Sequence, residues 1–297
     1  MKVLVFGSLN IDKVYTMPSL PMQGETLTCK RYEVHVGGKG LNQAVSLCKA
    51  GADVAMAGCV GTDGELLTDF LKSVGVHTDK IERTDGFTGH AVILVDGDGQ
   101  NQMVMYPGSN WAITREYCDK VLDEYEAGDL ILLQYETTQV GYLLRKAHEK
   151  GMRVAWNPSA FVPAVLDEPL ECVDILLVNE YEGRCISGET EVAKIPAALL
   201  RRMNGGAVVL TLGSDGAIYA DEHGTVQVPA FSVHAVDTTG AGDTFTGYFL
   251  HAVLCGQPPE EALRVASAAS AVVVTKPGAA ETIPDRETVE RFLRAHC

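Results

Sequence analysis

The stretch from Val236 to Gly247 places two carboxylates around a cluster of glycines, and an apolar helical pattern follows it. A glycine-rich turn that leads into a helix N-terminus presents free backbone N–H groups and the positive end of the helix dipole, and both favour anions. Asp243, after the glycines, could accept a proton from an attacking hydroxyl. Asp237, before them, could help to hold a cation, so that phosphoryl transfer would use both. Asp243 could instead cap the helix, and the stretch alone leaves both interpretations open.

Near the N-terminus, polar side chains follow the first apolar run. Val3 to Phe6 is typical of a buried strand, and Asn10 and Asp12 come directly after it. Ligands of open α/β sheets bind beyond the carboxyl ends of strands. If the backbone is extended, side chains two residues apart lie on the same face. The Asn10 amide and the Asp12 carboxylate could then bind adjacent hydroxyls of a sugar. A polar turn with local side-chain hydrogen bonds remains an equal alternative.

A second glycine turn, Gly37-Gly38-Lys39-Gly40, precedes another helical pattern. It is not a Walker A loop, because Lys39 is followed by glycine rather than Ser or Thr, and it does not match Gly-x-Gly-x-x-Gly. Bare backbone at these glycines would let a small polyol approach closely, with Lys39 and Asn42 as donors. A tight strand-helix turn with a solvated lysine is equally compatible with the pattern.

The elements that must position these residues alternate between apolar strands and helices along most of the chain. Two alternating runs, His90 to Val95 and Gln102 to Tyr106, interrupt that rhythm around an Asp-Gly-Asp-Gly-Gln turn and predict a hairpin. We therefore expect a small sheet, formed by about 12–36 and 88–108, which could serve as a lid. No Pro/Gly/Ser linker divides the chain, so we expect one domain over 1–297 with that lid inserted.

Composition excludes several classes of protein. The 297-residue chain has a net charge of -15, which argues against nucleic acid as a partner. No run approaches the roughly 20 apolar residues of a membrane span, and the N-terminus lacks the long apolar region of a signal peptide. The eight cysteines include no Cys-x-x-Cys pair, and the eight histidines show no zinc spacing. We expect a cytoplasmic protein with reduced thiols and without a His/Cys metal centre.

Six segments in order, nearly end to end, resemble the PfkB-type (ribokinase-like) carbohydrate kinase family. They are Gly7–Asp12, Gly37–Ala44, Gly99–Asn110, Asn179–Glu182, Thr211–Gly216 and Asp237–Asp243. The resemblance implies an α/β fold of three layers, α/β/α, with a central, mostly parallel sheet and a small β-sheet lid. It also implies an ATP-dependent kinase that phosphorylates the primary hydroxyl of a sugar, and D-ribose is the first choice among the sugars. The implied cations are Mg²⁺ and K⁺, and the implied assembly is a homodimer that pairs through the lid.

The resemblance also assigns roles to positions of this sequence. The implied sugar ligands are Asn10, Asp12, Gly38, Lys39, Asn42, Glu136 and Asp243, the last of which is also the implied catalytic base. The implied nucleotide-binding residues are Asn179, Thr211, Gly213, Ser214 and Gly216, with Gly240, Ala241 and Gly242 as the anion hole. Asn179 and Glu182 match a motif that orders magnesium through water. The implied potassium site comprises Asp237, Thr239, Val273, Lys276, Gly278 and Thr282.

Other functions stay open at this point. Several residues on the sugar side depart from the commonest choices of the family, namely Leu41, Phe87, Tyr135, Thr137 and Thr138. They leave deoxyribose, fructose or a nucleoside such as adenosine as alternative acceptors. A sugar-binding protein without catalysis is an alternative of another class, although Asp243, Asn179 and Glu182 are all present. A nicotinamide dehydrogenase is disfavoured, because no Gly-x-Gly-x-x-Gly follows the first strand.

Overall fold

The computed structural model describes residues 1–296, which form thirteen strands and nine helices. The strands are β1 (Val3–Phe6), β2 (Asn10–Thr16), β3 (Arg31–Gly37), β4 (Val54–Val60), β5 (His77–Arg83), β6 (Gly89–Val95), β7 (Asn101–Tyr106), β8 (Leu130–Leu133), β9 (Arg153–Trp156), β10 (Ile175–Asn179), β11 (Ala207–Thr211), β12 (Ala217–Asp221) and β13 (Gly224–Val228). The helices are α1 (Lys39–Ala50), α2 (Glu65–Ser73), α3 (Arg115–Leu122), α4 (Val140–Glu149), α5 (Glu180–Ser187), α6 (Ile195–Leu200), α7 (Ala241–Leu254), α8 (Pro259–Val273) and α9 (Arg286–Ala295).

Nine strands form the large sheet in the order β13-β12-β11-β10-β9-β8-β1-β4-β5. The pairs from β11 through to β5 are all parallel, and only the β11–β12 and β12–β13 pairs, at one edge, are antiparallel. The central strands are short apolar runs because parallel strands covered on both faces need no alternation with polar residues.

Helices cover both faces of this sheet. Along β1, Val3 and Val5 pack into the core under α1, α2, α7, α8 and α9, whereas Leu4 and Phe6 pack into the core under α3 to α6. Successive side chains of a strand point to opposite faces, so each central strand contributes to both cores. The predicted three-layer α/β/α fold is confirmed.

The remaining four strands form a separate sheet in the order β3-β2-β6-β7. Strands β6 and β7 pair antiparallel around the predicted Asp-Gly turn, and β2 pairs with β3 and β6. Strand β2 begins four residues after β1 ends, which places Asn10 and Asp12 at the carboxyl edge of the large sheet. Strand β5 escaped prediction, because its sequence His-Thr-Asp-Lys-Ile-Glu-Arg is polar, as an exposed edge permits. Within 1–296, none of the helices has the length and apolar character to cross a membrane.

Candidate active site

Two adjoining cavities open at the carboxyl ends of the parallel strands. One, of about 230 Å³, is lined mainly by polar groups that include Lys39, Asn179, Glu182 and Asp243. The other, of about 350 Å³, is more apolar and includes Ala230, Phe231 and Val274. Both cavities share Thr211, Thr238, Gly242 and Phe245. The residues at the start of α7 therefore lie where a polar and an apolar compartment meet.

The first turn of α7 leaves two backbone N–H groups free. Gly240 has a φ of 74° and is the residue from which the helix starts, a backbone conformation that glycine adopts without strain. The N–H of Ala241 donates to the Thr238 carbonyl. The N–H groups of Gly242 and Asp243 have no acceptor among residues 1–296. With the helix dipole behind them, these two donors suit the binding of an anion.

Asp243 does not cap α7; its carboxylate turns towards α1. Its side chain is 6% exposed, and Oδ2 accepts a hydrogen bond from Asn42 Nδ2 at 2.9 Å. Oδ1 accepts from Gln43 Nε2 at 2.8 Å. The buried Oδ1 of Asn42 has no partner within the described chain. Because buried polar atoms are almost always paired, this acceptor is available to a ligand hydroxyl or a water.

On the sugar side, the orientation of the Asn10 amide follows from a backbone group. The N–H of Leu9 can only donate, and it donates to Asn110 Oδ1 at 3.0 Å. Asn110 must then use Nδ2 towards Asn10 Oδ1, at 2.7 Å. Asn10 Nδ2 is left to donate to another group. Asn110 lies in one of the segments that carry the family resemblance, but the sequence analysis did not predict it as a site residue.

Asp12 lies in an environment that disfavours its charge. Burial, helped by the negative charges of Glu136 and Glu281 and opposed by His35, raises the pKa of Asp12 to about 7. A Cβ on Gly37 would come within 2.2 Å of the Asp12 carboxylate, so this position requires glycine. A Cβ on Gly38, which has a φ of 95°, would come within 2.9 Å of the backbone nitrogen of Asn10. The glycine loop and the Asn10–Asp12 pair therefore lie against each other.

Glu136 ties the end of β8 to this glycine loop. Its Oε2 accepts hydrogen bonds from the Ser8 hydroxyl and from the N–H of Lys39. Ser8 Oγ in turn accepts from the N–H of Gly40 at 3.2 Å. Ser8 is a further residue that was not predicted from the sequence, although it lies in the first family segment.

The Lys39 side chain carries the positive charge of the polar cavity. The nearby charge of Asp243 raises the pKa of Lys39, burial opposes this, and Glu136 and Glu182 add to the increase. Lys39 therefore stays protonated, and it can donate both to a sugar hydroxyl and to phosphate oxygens.

Asn179 and Glu182 form a capping box at the start of α5. Asn179 Oδ1 accepts from the Glu182 N–H, and Glu182 Oε2 accepts from the Asn179 N–H. The Glu182 side chain is buried, yet it lines the polar cavity. Hydrogen bonds that occupy one oxygen of each side chain leave little for direct metal ligation, so these residues fit the predicted contact to magnesium through water.

Most of the predicted nucleotide-binding residues line the apolar cavity, whereas Asn179 and Gly240 line the polar one. Thr211 ends β11, and a short 3₁₀ turn at Gly213–Asp215 follows it. Gly213, Ser214 and Gly216 lie opposite Ala241 and Gly242 across this cavity. A mostly apolar cleft that opens onto an anion site suits a nucleobase with its phosphates at the turn.

The predicted potassium residues lie in two segments that are hydrogen-bonded to each other. Asp237 Oδ1 accepts from the Thr239 N–H and hydroxyl, and Oδ2 accepts from the Gly278 N–H at 2.9 Å. The Thr282 hydroxyl donates to the Gly278 carbonyl at 3.1 Å. Val273 and Lys276 belong to the same turn, where the Lys276 N–H donates to the Val273 carbonyl. This set offers oxygen atoms alone, which fits a hard monovalent cation.

Comparisons with known proteins agree with this geometry. The pfkB family carbohydrate kinase model matches residues 1–286. The chain is 35% identical over 300 residues to a ribokinase of Haemophilus influenzae, with 97% of each chain covered. It is 31% identical over 305 residues to a deoxyribokinase of Salmonella typhimurium, with 99% of each covered. Its fold matches that of Arabidopsis thaliana ribokinase complexed with ribose and ATP, with a TM-score of 0.87, 31% identity, and 99% and 98% of the two chains covered.

An anion-binding turn beside a buried carboxylate is what a phosphotransferase acting on a small alcohol requires. The chain belongs to the pfkB family of carbohydrate kinases, because the match to that family and to its relatives spans nearly the whole sequence. The predicted family and enzyme class are thereby confirmed.

Proposed function

We propose that this kinase transfers the γ-phosphoryl group of ATP to the 5-hydroxyl of D-ribose, giving D-ribose 5-phosphate and ADP. The observation that carries the proposal is the buried pair of Asn42 and Asp243 at the junction of the polar cavity and the glycine turn. On one side of this pair lie the groups that suit a polyol, and on the other lie free N–H donors for a phosphoryl group.

In the proposed reaction, Asp243 accepts the proton of the sugar's primary hydroxyl as that oxygen attacks phosphorus. The N–H groups of Gly242 and Asp243 and the Lys39 ammonium stabilise the charge on the transferred group. A loose transition state demands little of the nucleophile and the proton can leave late, so a carboxylate suffices as the acceptor.

The donors and acceptors available to the sugar complement the hydroxyls of a pentose. Asn10 Nδ2 and Lys39 can donate, while Asp12 and the free Oδ1 of Asn42 can accept. Three of the five departures from the family pattern have side chains that are engaged with other groups. Leu41 lies in the core, the Tyr135 hydroxyl contacts Glu168, and the Thr138 hydroxyl donates to the Ile113 carbonyl. Their engagement elsewhere supports D-ribose as the acceptor.

Two cations complete the proposal. Magnesium, held through water by Asn179 and Glu182, would supply positive charge to the phosphate oxygens. Potassium would bind the oxygen atoms contributed by segments 237–239 and 273–282. In this chain, Asp237 already bonds to Gly278, so these residues hold the backbone that leads into the anion site. The family resemblance and the oxygen-only ligand set support potassium there.

The proposal includes a homodimer through the small sheet, which would act as a lid on the main domain, and a cytoplasmic location. Strand β7 is exposed along its whole length, and it presents Met103, Val104, Met105 and Tyr106 to solvent. Contiguous apolar side chains on an edge strand mark an interaction surface. In the part of the chain that the structure describes, all seven cysteines are free thiols, which suits a reducing compartment.

The decisive experiment measures ADP formation with D-ribose, 2-deoxyribose, fructose and adenosine, each in potassium and in sodium. We expect D-ribose to give the highest kcat/KM, and potassium to raise the rate with ribose. A higher kcat/KM with deoxyribose or adenosine would overturn the acceptor but leave the kinase class intact. Sugar binding without any ADP release would indicate a non-catalytic binding protein instead.

A further inference from the structure

We propose that Gln43 is a positioning residue that fixes the carboxylate of Asp243 for proton transfer, a role that rests on the proposed function of Asp243. Gln43 is fully buried in α1, next to the predicted sugar ligand Asn42. It does not line the polar cavity. Of its hydrogen-bond partners, Asp243 and Asn157 line that cavity, and Asp243 is the one proposed to take the proton.

The Gln43 amide makes three hydrogen bonds with buried or partly buried partners. Nε2 donates to Asp243 Oδ1 at 2.8 Å and to Asn157 Oδ1 at 2.9 Å. Oε1 accepts from Gln134 Nε2 at 2.7 Å. Both protons of Nε2 and one lone pair of Oε1 are thus used, which is nearly the full capacity of the side chain.

The orientation of this chain of amides is fixed by a backbone carbonyl. Asn157 Nδ2 donates to the Leu177 carbonyl at 2.9 Å, and that carbonyl can only accept. Asn157 must then direct its oxygen towards Gln43, and Gln43 must direct its nitrogen towards Asn157 and Asp243. A flipped Gln43 would place an oxygen against two other oxygens. The network therefore allows a single arrangement at Asp243.

Three neighbouring strands of the large sheet anchor the network. Gln134 directly follows β8, Asn157 directly follows β9, and Leu177 lies within β10. These strands are parallel neighbours in the rigid centre of the sheet. Gln43 thus transmits the position of the sheet edge to a carboxylate on α7, without a direct bond between α7 and those strands. Side chains locked in this way can hold a catalytic group in reactive geometry.

Gln43 and Asn42 have different tasks at the two oxygens of Asp243. Asn42 reaches Oδ2 from the side of the predicted sugar ligands, and its own Oδ1 is free for a hydroxyl. Its bond to Asp243 therefore competes with substrate. Gln43 holds Oδ1 from the core, where no substrate reaches, so its bond can persist through the whole reaction. Loss of Gln43 would leave the Asp243 carboxylate held by Asn42 alone while the sugar pocket stays intact.

The test compares Gln43→Met, which preserves volume but removes all three hydrogen bonds, with the wild type. We expect kcat to fall about 10²-fold, as for a misplaced catalytic group, while the KM values for ATP and ribose change little. Gln43→Glu keeps the shape but replaces the donor by an acceptor, and kcat should fall at least as far. Unchanged kcat in either folded variant would overturn the proposal.

Ser46→Ala is the matched control. Ser46 is buried on the same helix, and its hydroxyl donates to the Thr244 carbonyl at 2.8 Å, so it joins α1 to α7 without contacting Asp243. Its removal should lower the melting temperature but leave kcat unchanged. An equal loss of kcat in Ser46→Ala would contradict the proposal. It would mean that Gln43 is only one of several packing contacts between the two helices.

A double-mutant cycle with Asp243→Asn separates the two assignments. If Gln43 acts through Asp243, adding Gln43→Met to Asp243→Asn should cost no further kcat. Additive losses would mean that Gln43 acts elsewhere. Should Asp243→Asn alone retain normal turnover, the proposed base is wrong. Should it lose turnover while Gln43→Met keeps it, only the role of Gln43 is wrong.

Discussion

Asn42 Nδ2 and Asp243 Oδ2 lie 2.9 Å apart, although 201 positions separate the two residues in the chain. The contact joins the helix that follows the sugar-side glycine loop to the helix that starts at the anion site. Asn42 uses its side-chain nitrogen to donate to Asp243, so its side-chain oxygen, Oδ1, remains available as an acceptor for a ligand. This one hydrogen bond links the two halves of the proposed reaction.

The proposed base predicts the behaviour of Asp243→Asn. The substitution keeps the shape of the side chain but removes its ability to take a proton, so kcat should fall by at least ~10²–10⁴-fold. Binding of the sugar should survive, because the other ligands remain. Steady-state kinetics and calorimetric titration with ribose measure the two effects. Asp69→Asn, an exposed change on α2, serves as the control. Near-normal turnover of Asp243→Asn would contradict the assignment of Asp243 as the catalytic base.

The raised pKa of Asp12 predicts a pH-dependent stability. Burial and Glu136 raise the pKa from 3.8 to about 7, so the folded state holds this proton more tightly than the unfolded state. The associated stability is greatest below pH 3.8 and is lost as the pH rises through 7. Asp12→Asn removes the ionisation, so it should raise the melting temperature more in mildly alkaline than in acidic buffer.

The control for Asp12 is Asp98→Asn in the exposed hairpin turn. It should show no comparable difference between the two buffers. If Asp12→Asn changes the melting temperature equally in acidic and alkaline buffer, the prediction is wrong. The ionisation of buried Asp12 would then not lower the stability of the protein at alkaline pH.

The potassium proposal predicts that Asp237→Asn abolishes activation by the cation. Burial opposes ionisation of Asp237, but hydrogen bonds from Gly278 and Thr239 outweigh burial and lower its pKa. An ionised carboxylate attracts a monovalent cation, whereas an amide does so weakly. The ratio of kcat in potassium to kcat in sodium should therefore drop in this variant. Asp285→Asn, at the N-cap of α9, should retain the wild-type ratio.

The proposed dimer predicts that Val104→Lys yields a monomer. Val104 is 69% exposed on β7, and a charge there would have to be buried without a partner if two lids paired. Light scattering after size exclusion gives the mass of each variant. Thr225→Lys places the same charge on β13, the edge of the large sheet, and should leave the mass unchanged. A wild-type monomer, or a dimer that tolerates Val104→Lys, would contradict the proposal.

Most of the architecture followed from local patterns. Apolar runs such as Val3 to Phe6 and Leu130 to Leu133 predicted strands of a parallel sheet, and their polar ends predicted where a site would form. The hairpin of β6 and β7 followed from its Asp-Gly turn. Strand β5 and the short helices α3 and α6 were not predicted, because their sequences carry few apolar residues or span only two turns.

The sequence by itself determined the glycine turn before α7, because glycine conformation and helix periodicity are local properties. That stretch alone left Asp243 with two interpretations, a helix cap or a proton acceptor, and the resemblance to the family favoured the proton acceptor. Only the tertiary structure decided that its carboxylate turns away from its own helix, towards Asn42 and Gln43. Hydrogen-bond partners some two hundred residues away along the chain leave no trace in local spacing. The folded sheet brings them together, since the carboxyl ends of its parallel strands share one edge.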